Sequence, residues 1–203
     1  MVTPANAHLP QYLACTSCSQ LMRAIDAHDT ERALSLLEDA VADTQHLTER
    51  DHFGWTALET ACLKGESRVA CRIVELVPSS TLVQGKHGAH NPLSIACYKG
   101  LKDVVEAIVQ RVPAENLADP DGRGDTPLWL ATKHHHPEIL ECLQRAMRPC
   151  DYRRELDRCL PWILDSIDNY KQTWMKNSTT ERILAQLEAC AAVLCPLTKS
   201  ACE

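Results

Sequence analysis

Asp121-Gly-Arg-Gly-Asp-Thr-Pro-Leu-Trp-Leu-Ala-Thr-Lys-His-His-His-Pro-Glu-Ile-Leu-Glu-Cys-Leu143 reads as one supersecondary unit. Gly122 and Gly124 permit the positive φ that a tight turn needs. Thr126 then stands as a helix N-cap, with Pro127 in the first turn, where a missing N–H costs nothing. Leu128 and Ala131, one turn apart, make a narrow apolar stripe. This first helix is expected to end near His135. A second opens at Pro137 and presents Ile139, Leu140 and Leu143 on one face.

The unit recurs. Leu58, Leu93 and Leu128 lie 35 residues apart, and Ala61, Ala96 and Ala131 keep that period. So do Gly65, Gly100 and His135, then Val69, Val104 and Ile139, then Ile73, Ile108 and Leu143. A fixed period holding a turn and two short helices predicts a stacked repeat array, all-α in class. Asp51-x-x-Gly54-x-Thr56-x-Leu58-x-x-Ala61-x-x-x-Gly65 and Asp121-x-x-Gly124-x-Thr126-Pro127-Leu128-x-x-Ala131 resemble the ankyrin repeat over residues 20–148. The resemblance implies an ankyrin-repeat helical solenoid that binds partners on its concave side. Three positions depart from the family pattern. Its His after the Leu is Glu59, Ser94 and Trp129 here, its Pro is Ala57 in one copy, and its inter-helix Gly is His135 in another. A left-handed His costs about 1 kcal/mol against Gly.

Working outward, copies fall at about 20–50, 51–85, 86–120 and 121–148. Residues 1–19 read as a mobile leader and 149–203 as a C-terminal helical cap or tail. In the first copy Leu21, Ala24 and Ile25 make one stripe and Ala33, Leu36 and Leu37 the other, with His28-Asp29 in place of the inter-helix Gly. Its turn signature is missing, as suits an end repeat with no outer neighbour. The third copy sets Gly88 one residue farther from its Leu than Gly54 stands from Leu58, which predicts a longer or bulged finger. Pro78 and Pro113 end second helices. Beyond residue 148, Leu156, Leu160, Ile163, Ile167, Tyr170 and Trp174 recur at helical spacing, and Pro161 is expected to kink or restart that helix. Ser178-x-x-Glu181 fits a capping box ahead of Ile183, Leu184, Leu187, Ala191 and Leu194. Two or three helices should therefore cover the fourth copy. Leu160-Pro161-x-x-Leu164-x-x-Ile167 faintly resembles the start of an F-box.

Composition narrows the partner. Apolar residues make 45% of the 203 and aromatics only 4%, which favours many thin helix contacts over one thick core. The net charge of −6 argues against a nucleic-acid surface. No apolar run reaches the roughly 18 residues that span a bilayer, and no secretory signal opens the chain. Eleven scattered Cys suit a reducing compartment, cytoplasmic or nuclear, as small buried hydrophobes. A monomer is expected.

Chemistry is weakly signalled. Cys15-x-x-Cys18 lacks a second pair at zinc spacing. His134, His135 and His136 are consecutive and point in different directions, the other His lack the Cys or carboxylate sets at i+3 or i+4 that would build a zinc site, and His28-Asp29-x-Glu31 reads as a helix start with acidic first-turn residues. Cys62 and Cys97 follow the buried Ala of their copies, so packing explains them. No nucleophile elbow, phosphate loop or dinucleotide fingerprint occurs. The expectation is no enzyme, no cofactor and no metal.

Partner-binding candidates are the turn tips and the outer positions of each first helix. The tips supply His52, Phe53, Trp55, Lys86, His87, His90, Arg123 and Asp125. The helices supply Leu63, Lys64, Tyr98, Lys99, Lys133 and His134. Phe53 and Trp55 flank a turn Gly where large aromatics have no evident packing role, and interfaces favour such anchors. Lys64, Lys99 and His134 form a cationic stripe on an acidic chain, which suits an acidic partner segment. The expected role is a protein-binding adaptor. The alternatives are an inhibitor masking a segment of a signalling or transcription factor, and a ubiquitin-ligase substrate adaptor recruiting through the C-terminal helices.

Overall fold

The computed structural model describes residues 16–40, 44–51, 53–84, 90–172 and 178–194. Within them the chain is helical, with no strand. The helices are α1 (Thr16–Asp26), α2 (Thr30–Asp39), α3 (Ala57–Lys64), α4 (Ser67–Leu76), α5 (Pro92–Lys99) and α6 (Lys102–Val109). They continue as α7 (Pro127–Lys133), α8 (Pro137–Ala146), α9 (Pro149–Gln172) and α10 (Ser178–Leu194). No helix among the described residues is long and apolar enough to cross a membrane.

Local chemistry starts and stops several of the helices. Thr56 and Glu59 form a reciprocal capping box on α3. Asn91 Oδ1 accepts the Ser94 N–H at 2.8 Å, and Thr126 Oγ1 accepts the Trp129 N–H at 3.3 Å. Pro92 and Pro127 open those two helices at the position that needs no donor. At the other end, His28, Gly65, Gly100 and His135 all have φ between 57° and 78°. The N–H one residue beyond each reaches back five residues: Asp29 to Ala24, Glu66 to Ala61, Leu101 to Ala96, His136 to Ala131. This is the Schellman stop, and two copies make it with His rather than Gly.

Helix contacts set two rows. In one, α3 packs on α1, α5 on α3, α7 on α5 and α9 on α7. In the other, α4 packs on α2, α6 on α4, α8 on α6 and α10 on α8. Neighbours close on both sides of α3 and α5, which bury residues 57–62 and 92–97 without a break. The second-row helices keep a polar face. In α4, Val69, Ala70, Ile73 and Val74 are buried while Arg68 and Glu75 are exposed. Val77, Val112 and Met147, again 35 apart, return their N–H to Ile73, Ile108 and Leu143 as the second helices end.

The variable position after each repeat Leu shows three local solutions. Glu59 is buried, its carboxylate held by Arg50 at 3.0 Å and by the Thr56 N–H at 2.8 Å. Ser94 leaves its hydroxyl buried with no hydrogen-bond partner among the described residues. Trp129 lies half-buried, edge-on to Trp162 of α9 at 5.5 Å and under the Arg158 guanidinium at 4.8 Å.

One expectation needs revision. Pro161 neither breaks α9 nor starts a new helix; it sits inside one 24-residue helix. It lies on the exposed side, as does Asp157, whose carbonyl loses its helical N–H partner at the Pro but has solvent within reach there. The opposite side of α9 buries Cys159, Ile163 and Ile167 in the core. The longer third finger and Trp174 lie outside the described residues, as does the Cys15 end of the cysteine pair.

Candidate functional site

The turns before α3 and α7 are built alike. Asp51 and Asp121 each close a five-residue turn: their N–H groups donate to the carbonyls of Trp55 and Asp125, at 2.8 and 2.9 Å. Asp51 Oδ1 accepts from the N–H of Phe53 and Trp55, and Asp121 Oδ1 from those of Arg123 and Asp125. Gly54 and Gly124 take positive φ to close the loop.

On this scaffold the predicted residues behave differently. Phe53 stands 66% exposed at its turn tip. Trp55 does not project beside it; it is half-buried and packs on the core. Leu63 likewise lies half-buried against the core. Lys64 is exposed and pairs with Asp26 of the preceding copy at 3.0 Å, so its charge is already answered within the chain. Arg123 is exposed, and Asp125 is half-buried with Arg158 at 3.8 Å. His52, Lys86 and His87 lie outside the described residues.

The third and fourth copies bring several candidates into one cluster. Tyr98 is 39% exposed, unusually open for a large apolar ring here. His134 meets it edge-on at 4.3 Å, His90 stacks at 6.2 Å, and Lys99 Nζ lies 5.6 Å from its centroid. Lys133 is exposed next to His134. Burial, then the charges of His136, Lys133, His135 and His90, holds the His134 imidazole below its ordinary range. Burial does the same to His135 and His136. Near neutral pH His134, His135 and His136 are therefore held as neutral rings.

Three sets of contacts were not legible in the sequence. His90 Nδ1 hydrogen-bonds Asp121 Oδ2 across the gap between copies. Thr126 donates its hydroxyl to the buried Glu155 of α9. Arg158 bridges Asp125 and the Trp129 ring. Trp129 carried a usable signal: a large ring where the other copies place Glu59 and Ser94 requires a cover, and α9 supplies one.

Buried thiols offer little reactivity. Burial pushes Cys62 and Cys97 far above the ordinary thiol range, and Cys190 up to about 12. No protein-family model matches the chain, and no curated protein matches it.

Proposed function

We propose that the chain is an ankyrin-repeat solenoid acting as a protein-binding adaptor, without catalysis. Its working surface is the first-helix row between the third and fourth copies, and it takes an acidic partner segment. The observation that carries this reading is Tyr98. It is an open aromatic ring with Lys99 beside it and His134 edge-on to it, next in sequence to the exposed Lys133, on a chain of net charge −6. An aromatic that leaves water anchors an interface, while rim lysines steer an acidic segment toward it. Lys64 contributes less than the sequence implied, because Asp26 already pairs with it.

The test is a peptide-display screen on the full chain. Asp/Glu-rich peptides should be enriched, and enrichment should fall at high salt as screening grows. Tyr98→Ala should weaken a selected peptide at least about tenfold, and Lys99→Glu with Lys133→Glu should abolish the acidic preference. No acidic enrichment, or enrichment intact in both variants, would overturn the reading.

One observation favours a recruiting role for the C-terminal helices as well: Leu164 stands 54% exposed on α9 beside the exposed Pro161. A ubiquitin-ligase adaptor would use that spot. Leu164→Asp should then abolish ligase recruitment and spare peptide binding, and recruitment that survives the change rules this role out.

A further inference from the structure

Stacking places equivalent positions of adjacent copies side by side. His90 and Asp125 are such a pair, 35 residues apart in the third and fourth copies. Asp121 begins the turn that carries Asp125. One nitrogen of His90 and one carboxylate oxygen each from Asp121 and Asp125 lie within 4.8 Å of one another. An ion bonded to three ligands at about 2.0–2.2 Å holds those ligand atoms roughly 3–4 Å apart, so small side-chain rotations close the set. We propose that His90, Asp121 and Asp125 bind a divalent transition-metal ion of the zinc class, leaving open positions for water.

The donor set argues for this class. One imidazole with two carboxylates is softer than the all-oxygen cages that suit magnesium or calcium, and lacks the thiolates of closed structural zinc sites. Two carboxylates offset the charge of the ion. Asp121 is pre-arranged for the task. Its side chain is 0% exposed, and Oδ1 is spent on two backbone N–H groups, at 2.9 and 3.1 Å. Oδ2 is thereby aimed at His90, and it can give up the imidazole proton for an ion without loosening the turn. Such outer hydrogen bonds orient a ligating carboxylate. Asp125 gives up only an Arg158 contact at 3.8 Å, and Arg158 keeps its place over the Trp129 ring. The second copy makes the same turn from Asp51 but has Trp55 where Asp125 stands, so the set belongs to the junction of the third and fourth copies.

The full chain, freed of metal with chelator and titrated with Zn²⁺ and separately with Co²⁺, decides the matter. One ion per chain should bind and raise the melting temperature by mass action. His90→Gln and Asp125→Asn should each weaken binding about tenfold or more. Asp125→Asn keeps its backbone N–H to Asp121, and so should keep the turn. Replacing His134, His135 and His136 together should leave the affinity in place. Absence of binding at about 100 μM metal, a concentration at which a micromolar site is saturated, would show His90–Asp121 to be a hydrogen-bonded staple alone. Affinity unchanged in both His90→Gln and Asp125→Asn would equally overturn the site.

Discussion

A methyl group added at Gly65 would meet nothing within 4 Å, whereas at Gly100 it would lie 2.6 Å from the His136 ring. Both glycines have positive φ, so Ala at either position costs about 1 kcal/mol in backbone strain. Gly100→Ala adds a collision with an imidazole whose Nε2 lies 3.3 Å from the Tyr98 carbonyl. Gly100→Ala should therefore destabilise more than Gly65→Ala in urea titration, and His136→Ala should recover the excess. Equal losses at the two glycines would discount the collision. Glu66 governs acid behaviour at the other end of the array. The Thr30 hydroxyl at 2.8 Å, then His28 at 2.7 Å, holds its carboxyl below the ordinary range. The folded state thus resists protonation of Glu66. The pair stabilises above the ordinary carboxylate pKa, and that stability is lost as pH falls through the folded value. Glu66→Gln should lower the melting temperature at pH 7, and its gap to wild type should close on acidification toward pH 3. A gap independent of pH would assign the loss to packing.

At the level of elements, α9 and α10 continue the two rows although they leave the 35-residue period. What fixes their places is burial. Cys159, Ile163 and Ile167 of α9 and Leu187, Cys190 and Leu194 of α10 all enter the core. Removing residues 149–203 would bare Trp129 and strip Thr126 of Glu155. The truncated chain should aggregate or melt at markedly lower temperature, by light scattering and circular dichroism. A monomer of unchanged stability would show that α9 and α10 only lean on the array. The helical stripes, caps and stops of the repeats were legible because each follows from neighbours within a few residues. The continuity of α9 was not. A proline ends a helix only where its lost bond cannot be replaced, and Pro161 and Asp157 both lie on the exposed side of α9, where water can supply the missing partner.

At the scale of the molecule, the extensive helix contacts among the described residues join neighbouring copies. Ile108 is fully buried between rows in the third copy. Ile108→Ala should cost about 2–5 kcal/mol. Amide exchange should rise first in α5 and α6, then in α4 and α8, and last in α1 and α2. Uniform exchange across the chain would mean that the copies do not unfold separately. The same stacking explains which parts of the candidate sites were legible. Tyr98, Lys99, Lys133 and His134 sit at positions that the period alone marks as outward. Lys64–Asp26 and His90–Asp121–Asp125 were invisible to spacing within a helix, because their partners come from the adjoining copy.

Neighbour-only contact has a mechanical consequence. Stretched between its ends, such an array has no helix-on-helix contact from first copy to last among the described residues that would carry the load at once. It should peel rather than snap, releasing about 120 Å of contour per 35-residue copy, the reach of that many extended residues. The first copy, whose outer side has no neighbour among the described residues, should yield before the junction that His90 and Asp121 tie together. Pulled in an optical trap, the molecule should lengthen in several even steps, with the last one at the highest force.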